Sequence, residues 1–114
     1  MNVMAPNAAL QSEAIQVALI DDDTAVLDSL GLYFARHEVG TTCFAAVEAF
    51  LTALKETARF DCIVSDVRMP GISGLDLVQQ LKARGATAPI ILITGRGRYR
   101  HGRIRRQARR VRLH

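Results

Sequence analysis

Cysteine, long apolar runs and late-chain acids are all scarce here, and each shortage excludes something. The two cysteines, Cys43 and Cys62, have neither metal-ligand spacing nor the pattern of a disulfide framework. Each sits in an apolar segment, so the expectation is a pair of buried thiols in a reducing compartment. No apolar run approaches the ~20 residues that a membrane-spanning helix needs. The opening MNVMAPNAALQSEA lacks a basic start and a long apolar stretch, which argues against a secretion signal. The expected location is therefore cytoplasmic, with no membrane partner. No lysine follows Lys82 and no acid follows Asp76.

What is present fits a small folded domain. The chain has 114 residues, 49% hydrophobic and 23% charged, which is the balance of a soluble globular unit and sets one domain as the ceiling. The formal net charge of +4 conceals a split. Residues 1–95 carry six Lys/Arg against eleven Asp/Glu, a net of −5, and residues 96–114 carry nine Arg and no acid, a net of +9. The sequence pI near 9.7 thus describes the tail and not the body. Such asymmetry points to nucleic-acid binding or to an appended segment.

Residues 1–14 have no periodic pattern and are expected to be a flexible lead. An alternation follows. Val17-Ala18-Leu19-Ile20 is a short apolar run that stops at Asp21. Val26, Leu27, Leu30 and Phe34 recur at helical spacing, which predicts a helix over about 24–37. Residues 41–44 are β-prone, and Val47, Phe50, Leu51 and Leu54 predict a helix over about 45–58. Cys62-Ile63-Val64 reads as a strand ending at Ser65-Asp66. Leu75, Leu77, Val78 and Leu81 mark a third helix, with Ser73 as its cap. Ile90-Ile91-Leu92-Ile93 is a fourth strand, ending at Thr94. Strands apolar on both faces, separated by helices, predict a doubly wound parallel α/β sheet. In such sheets ligands bind at the carboxyl ends of strands, near the switch in strand order. Asp21-Asp22-Asp23, Asp66 and Thr94 all stand at such ends.

Each of these signals has a plain structural reading. The Asp triplet can be a polar turn with a helix cap, Asp66 can belong to the Pro70-Gly71 turn, and Thr94 can be an ordinary β-prone residue before a glycine. Together they bring carboxylates and a hydroxyl to one edge of one sheet. Clustered carboxylate oxygens suit Mg²⁺, a hard cation that takes few protein ligands.

The segments VALIDDD, VSDVRMPGISG and IILITG resemble the receiver domain of two-component response regulators, most of all receivers joined to helix-turn-helix output domains. Their order, their strand-end placement and their separations all fit, with 44 residues from Asp22 to Asp66 and 28 from Asp66 to Thr94. The resemblance covers about residues 15–95. It implies a flavodoxin-like (CheY-like) receiver fold, here with β1-α1-β2-α2-β3-α3-β4 and without the normal β5 and α5. It implies that Asp66 is the phosphoacceptor for a sensor histidine kinase. It further implies that Asp21, Asp22, Asp66 and the backbone carbonyl of Arg68 hold Mg²⁺, and that Thr94 hydrogen-bonds the phosphoryl group and acts as the switch. Asp23 would be peripheral. Such a domain is not an enzyme beyond phosphorylating and dephosphorylating itself.

The family also places a lysine at the end of a fifth strand, and nothing after Thr94 matches it. The only lysines are Lys55 and Lys82. Loss of a fifth strand and helix would remove several buried side chains worth ~1.5–3 kcal/mol each, against a total stability of ~5–15 kcal/mol. A marginal fold, an uncovered apolar edge along residues 90–93, impaired phosphoacceptance and no output domain are the expectations. The tail, residues 96–114, reads as out of frame from about residue 97. With Arg98-Tyr99-Arg100-His101-Gly102 written CGA TAT CGC CAT GGC, removal of the first C gives D-I-A-M-A. The degenerate codons that follow permit V-S-A-A-K-L-G-A-F-D-F-I, which is the family's pattern at this point.

Two other readings compete. Asp21-Asp22-Asp23-Thr24 after a strand resembles the haloacid dehalogenase phosphatases, with Asp21 as nucleophile and Asp23 as acid/base, but that family's later acidic pair has no counterpart after Asp76. The tail can alternatively be an Arg-rich nucleic-acid-binding arm, acting nonspecifically through phosphates. His37, His101 and His114 have no partners at ligand spacing and are expected at the surface. The coding DNA tests the frame directly: the expected result is family-like sequence in the shifted frame beyond codon 97, and codons that forbid the residues above would refute it.

Overall fold

The computed structural model describes residues 14–56, 58–98 and 104–111, with side chains at 14–56, 58–93 and 110–111. The elements run β1 (Gln16–Ile20), α1 (Thr24–Ala35), β2 (Gly40–Phe44), α2 (Val47–Lys55), β3 (Cys62–Asp66), α3 (Gly74–Ala83), β4 (Ile90–Arg98) and β5 (Ile104–Val111). The strand order is β2-β1-β3-β4-β5. The first four strands are parallel, as the apolar runs predict. From β1 the chain moves outward to β2, then crosses back to β3. The switch in strand order therefore lies between β1 and β3, and the register Ile20↔Ser65 makes Asp21 and Asp66 neighbours there.

Both faces of the sheet are apolar because both are covered. On one side Ala18, Ile20, Ile63, Ile90 and Leu92 pack with Val47, Phe50 and Leu51 of α2 and Leu77, Val78 and Leu81 of α3. Phe50 is fully buried and sits edge-on to Phe44 at 5.5 Å between ring centroids, with Phe60 at 5.8 Å. On the other side Val17, Leu19 and Val64 pack against Leu27 of α1, with Leu30, Phe34, Ile91 and Ile93 around them. Local chemistry starts the helices. The Asp23 carboxylate accepts from the Ala25 N–H at 3.0 Å to cap α1. Ser73 and Asp76 form a reciprocal capping box at α3, which satisfies N–H groups that a first turn leaves unpaired.

Three expectations change. The two cysteines are not buried thiols: Cys43 is exposed and Cys62 half-buried. For Cys43 the reason is position: β2 is an edge strand, and none of its residues is fully buried. Desolvation, then the negative charge of Asp28, push the Cys43 thiol up from its ordinary pKa. The β4 edge is not left uncovered either. β4 runs on past Thr94 to Arg98 and pairs with β5, which is antiparallel, in the register Ile91↔Arg110 through Arg98↔Ile104 with a shift between Arg96 and Arg98. The tail thus supplies a strand, though not the parallel fifth strand expected of the family. Finally, α1 stops at Ala35 and α2 spans 47–55, both shorter than expected. His37 is exposed, as expected; His101 and His114 lie outside the described residues.

Substituting Phe50→Ala removes the centre of the larger core and should cost about 3–5 kcal/mol. In urea denaturation of the full chain the expected outcome is a midpoint shifted far down or lost altogether. A shift worth less than about 1 kcal/mol would contradict the packing described.

Candidate functional site

The carboxyl ends of β1 and β3 carry the acids. Asp21 follows Ile20 directly, and its N–H is held by the Phe44 carbonyl at 3.1 Å. Its carboxylate accepts from the Asp23 N–H at 2.9 Å. Asp66 closes β3, and its carboxylate accepts from the Arg68 N–H at 3.3 Å. Asp21 is 3% and Asp66 8% exposed, whereas Asp22 faces solvent. Oxygens from Asp21, Asp22 and Asp66 lie within 4.8 Å of one another.

That spacing sets the chemistry. Two unit negative charges about 5 Å apart repel by about 3 kcal/mol at an effective dielectric of ~20, and solvent around Asp22 lowers its share. A cation relieves the repulsion, and the donor set is entirely carboxylate oxygen, the preference of Mg²⁺ and Ca²⁺ over softer metals. The three residues therefore fit a hard divalent ion.

The loop after β3 is fixed in place by backbone. The Val67 N–H donates to the Ile93 carbonyl at 3.0 Å, and the Gly74 N–H donates to the Val67 carbonyl at 3.0 Å. The buried Ser65 hydroxyl donates to the Asp66 carbonyl at 2.9 Å. At Gly74 a Cβ would stand 2.3 Å from the Asp66 carbonyl oxygen and 3.1 Å from the Val67 Cα. Only glycine lets α3 start this close to the acid, a role the sequence reading missed. The one available signal was a glycine directly after a helix cap. Arg68 is exposed and, with Val67, Met69, Pro70, Ser73 and Leu75, lines an open cavity of about 570 Å³ beside the cluster.

Sequence reasoning named Asp21, Asp22, Asp66, Arg68 and Thr94. The first three come together in the cluster; for Arg68 it is the backbone N–H that contacts Asp66, whereas the expectation concerns its carbonyl. Thr94 follows Ile93, the β4 residue in register with Asp66; its side chain lies outside the described residues. Asp23 lies outside the acidic cluster and caps α1, which is the peripheral place expected of it.

A doubly wound α/β domain with an oxygen-donor cluster at its switch point is the class that fold and site define. The family model of the response regulator receiver domain matches residues 17–109, and the chain belongs to that family. It is 43% identical over 81 residues to the transcriptional regulatory protein FixJ of Bradyrhizobium diazoefficiens, covering 71% of this chain and 39% of that protein. It is 46% identical over 85 residues to FixJ of Azorhizobium caulinodans, covering 75% and 40%. The chain thus spans about two fifths of the length of these relatives. Among solved structures, FixJ-N superposes with a TM-score of 0.66 at 32% identity over 75% of this chain and 67% of that one. The response regulator StyR superposes with a TM-score of 0.67 at 32% identity over 74% and 42%. Relatives of this kind are signalling domains and not classical enzymes, and the match gives no support to the phosphatase-like reading.

Gly74→Ala should destabilise the chain by about 1–3 kcal/mol, as overpacking does, because the clash is with backbone. Thermal unfolding checks it: an unchanged midpoint would mean that α3 does not crowd Asp66 as described.

Proposed function

We propose that this chain is a cytoplasmic phosphoacceptor of a two-component phosphorelay, taking a phosphoryl group on Asp66 from the phosphohistidine of a sensor histidine kinase. The observation that carries this reading is the convergence of Asp21, Asp22 and Asp66 within 4.8 Å at the switch point. An Asp66 carboxylate oxygen attacks phosphorus, and the donor's P–N bond breaks. Its electron pair stays on the imidazole nitrogen, and an aspartyl phosphate remains.

The chain's own residues prepare that step. Asp21, Asp22, Asp66 and the backbone carbonyl of Arg68 are the ligands of Mg²⁺ in this proposal. The ion, when bound, neutralises charge between the attacking carboxylate and the phosphoryl oxygens. The Arg68 N–H holds the Asp66 carboxylate in one orientation, and Gly74 lets the loop close behind it. Thr94 is one residue beyond the partner of Asp66 in β4, and in this proposal its hydroxyl hydrogen-bonds the phosphoryl group and acts as the switch. No lysine stands on β5, whose residues are IRRQARRV, to supply the cation that the family carries on its fifth strand. Transfer should therefore be slow, and the remaining chemistry is hydrolysis of the chain's own phosphate.

We also infer that the tail from about residue 97 arises from a shift of reading frame. Nine arginines without an acid in residues 96–114, together with an antiparallel β5 in place of the family's expected final strand, support that origin.

Incubating the purified chain with Mg²⁺ and a small acyl phosphate tests the site. The expected result is slow addition of at most one hydroxylamine-sensitive phosphate per chain, abolished by chelation and by Asp66→Asn. Equal labelling of wild type and Asp66→Asn would overturn the assignment, and multiple turnover of a phosphate monoester would favour a phosphatase instead.

A further inference from the structure

Beyond Thr94, the paired ends of β4 and β5 have no part in the phosphoacceptor reading. β4 pairs with β3 as far as Ile93 and then continues to Arg98. Residues 94–98 therefore overhang their neighbour strand by about 15 Å at the usual rise per residue. There β4 and β5 form a two-stranded antiparallel ribbon. β4 and β5 hold six described arginines: Arg96, Arg98, Arg105 and Arg106 in the overhang, and Arg109 and Arg110 beside it, where β4 also pairs with β3. No Asp or Glu follows Asp76, so the ribbon contains no carboxylate to offset them.

The register sharpens the point. Arg96 pairs directly with Arg105, while Arg109 is opposite Leu92 and Arg110 opposite Ile91. Like charges directly across a ladder destabilise it, and an anion beside the Arg96–Arg105 pair offsets that cost. Paired residues share a face of a sheet and successive residues alternate. Arg96, Arg105 and Arg109 therefore belong to one face, and Arg106 and Arg110 to the other.

We propose that this ribbon binds the phosphate backbone of duplex DNA without sequence preference. A two-stranded ribbon is a shape that the major groove admits, and guanidinium groups match phosphate oxygens two at a time. The overhang brings Gly95 and Gly97 between its β4 arginines, and Ile104 is its one large apolar residue among the described residues. Among the described residues the ribbon strands hold no Phe, Tyr or Trp on which a single strand could stack. Charge and shape alone carry the interaction, which stands whether or not Asp66 is a phosphoacceptor.

Fluorescence anisotropy of a labelled mixed-sequence DNA duplex, titrated with the full chain across a salt series, tests this. The expected affinity falls about 10³-fold between 50 and 200 mM salt, as release of counterions from roughly six contacts requires. The double substitution Arg105→Gln/Arg106→Gln should reduce the slope of log affinity against log salt by about 2. The double substitution to Lys should retain the parent slope, which separates loss of charge from loss of the strand. The proposal is overturned by no binding at 50 mM salt, by a slope unchanged in the Gln variant, or by a polyglutamate competitor that binds as tightly as the duplex.

Discussion

Like-charge repulsion at the carboxyl ends of β1 and β3 is the constraint that organises this molecule. Three carboxylates approach within 4.8 Å, and two of them are buried. A fold pays for that arrangement only if something else fixes it. Here the strand register does so, because Ile20 opposite Ser65 leaves Asp21 and Asp66 side by side at the edge. The switch in strand order opens a crevice there, and amide N–H groups from Asp23 and Arg68 orient the two buried acids.

The scaffold behind the cluster is built to hold position. Phe50, Leu77 and Leu81 are essentially inaccessible and tie α2 and α3 to the same sheet face. Gly74 brings the start of α3 against the Asp66 carbonyl, and the Ser73–Asp76 capping box fixes that start. The loop from Val67 to Ser73 is thereby pinned at both ends, by the Ile93 carbonyl and by the helix. Asp66, at the strand end directly before this pinned loop, has little freedom to swing away from its neighbours, which is the preorganisation that group transfer favours.

Much of this was legible in the residues. Three continuous apolar runs, at 17–20, 62–64 and 90–93, with a β-prone segment at 41–44, announced parallel, doubly covered strands. Their last residues named Asp21, Asp22 and Asp66 in advance, since burial must stop where charge begins. Helix ends were less legible: α1 and α2 end one residue beyond their last periodic apolar residues, Phe34 and Leu54, and not at about 37 and 58. The exposure of Cys43 was hidden because a sequence does not say which strand is outermost. Gly74 was hidden because a close backbone approach is a tertiary fact. The antiparallel β5 was missed for a different reason: its residues IRRQARRV have neither alternation nor an apolar run, so pairing with β4 and not local pattern makes them a strand.

The central claim is that the three acids hold a divalent cation, and it is tested most directly by ligand-linked stability. Binding to the folded state alone must raise the unfolding midpoint. Thermal unfolding should be measured with Mg²⁺ and with NaCl at equal ionic strength, for the parent chain and for Asp22→Asn. The account expects Mg²⁺ to raise the midpoint of the parent chain above the NaCl value, and expects that gain to shrink markedly in Asp22→Asn. An equal midpoint in both salts, or a gain that survives Asp22→Asn unchanged, would contradict it.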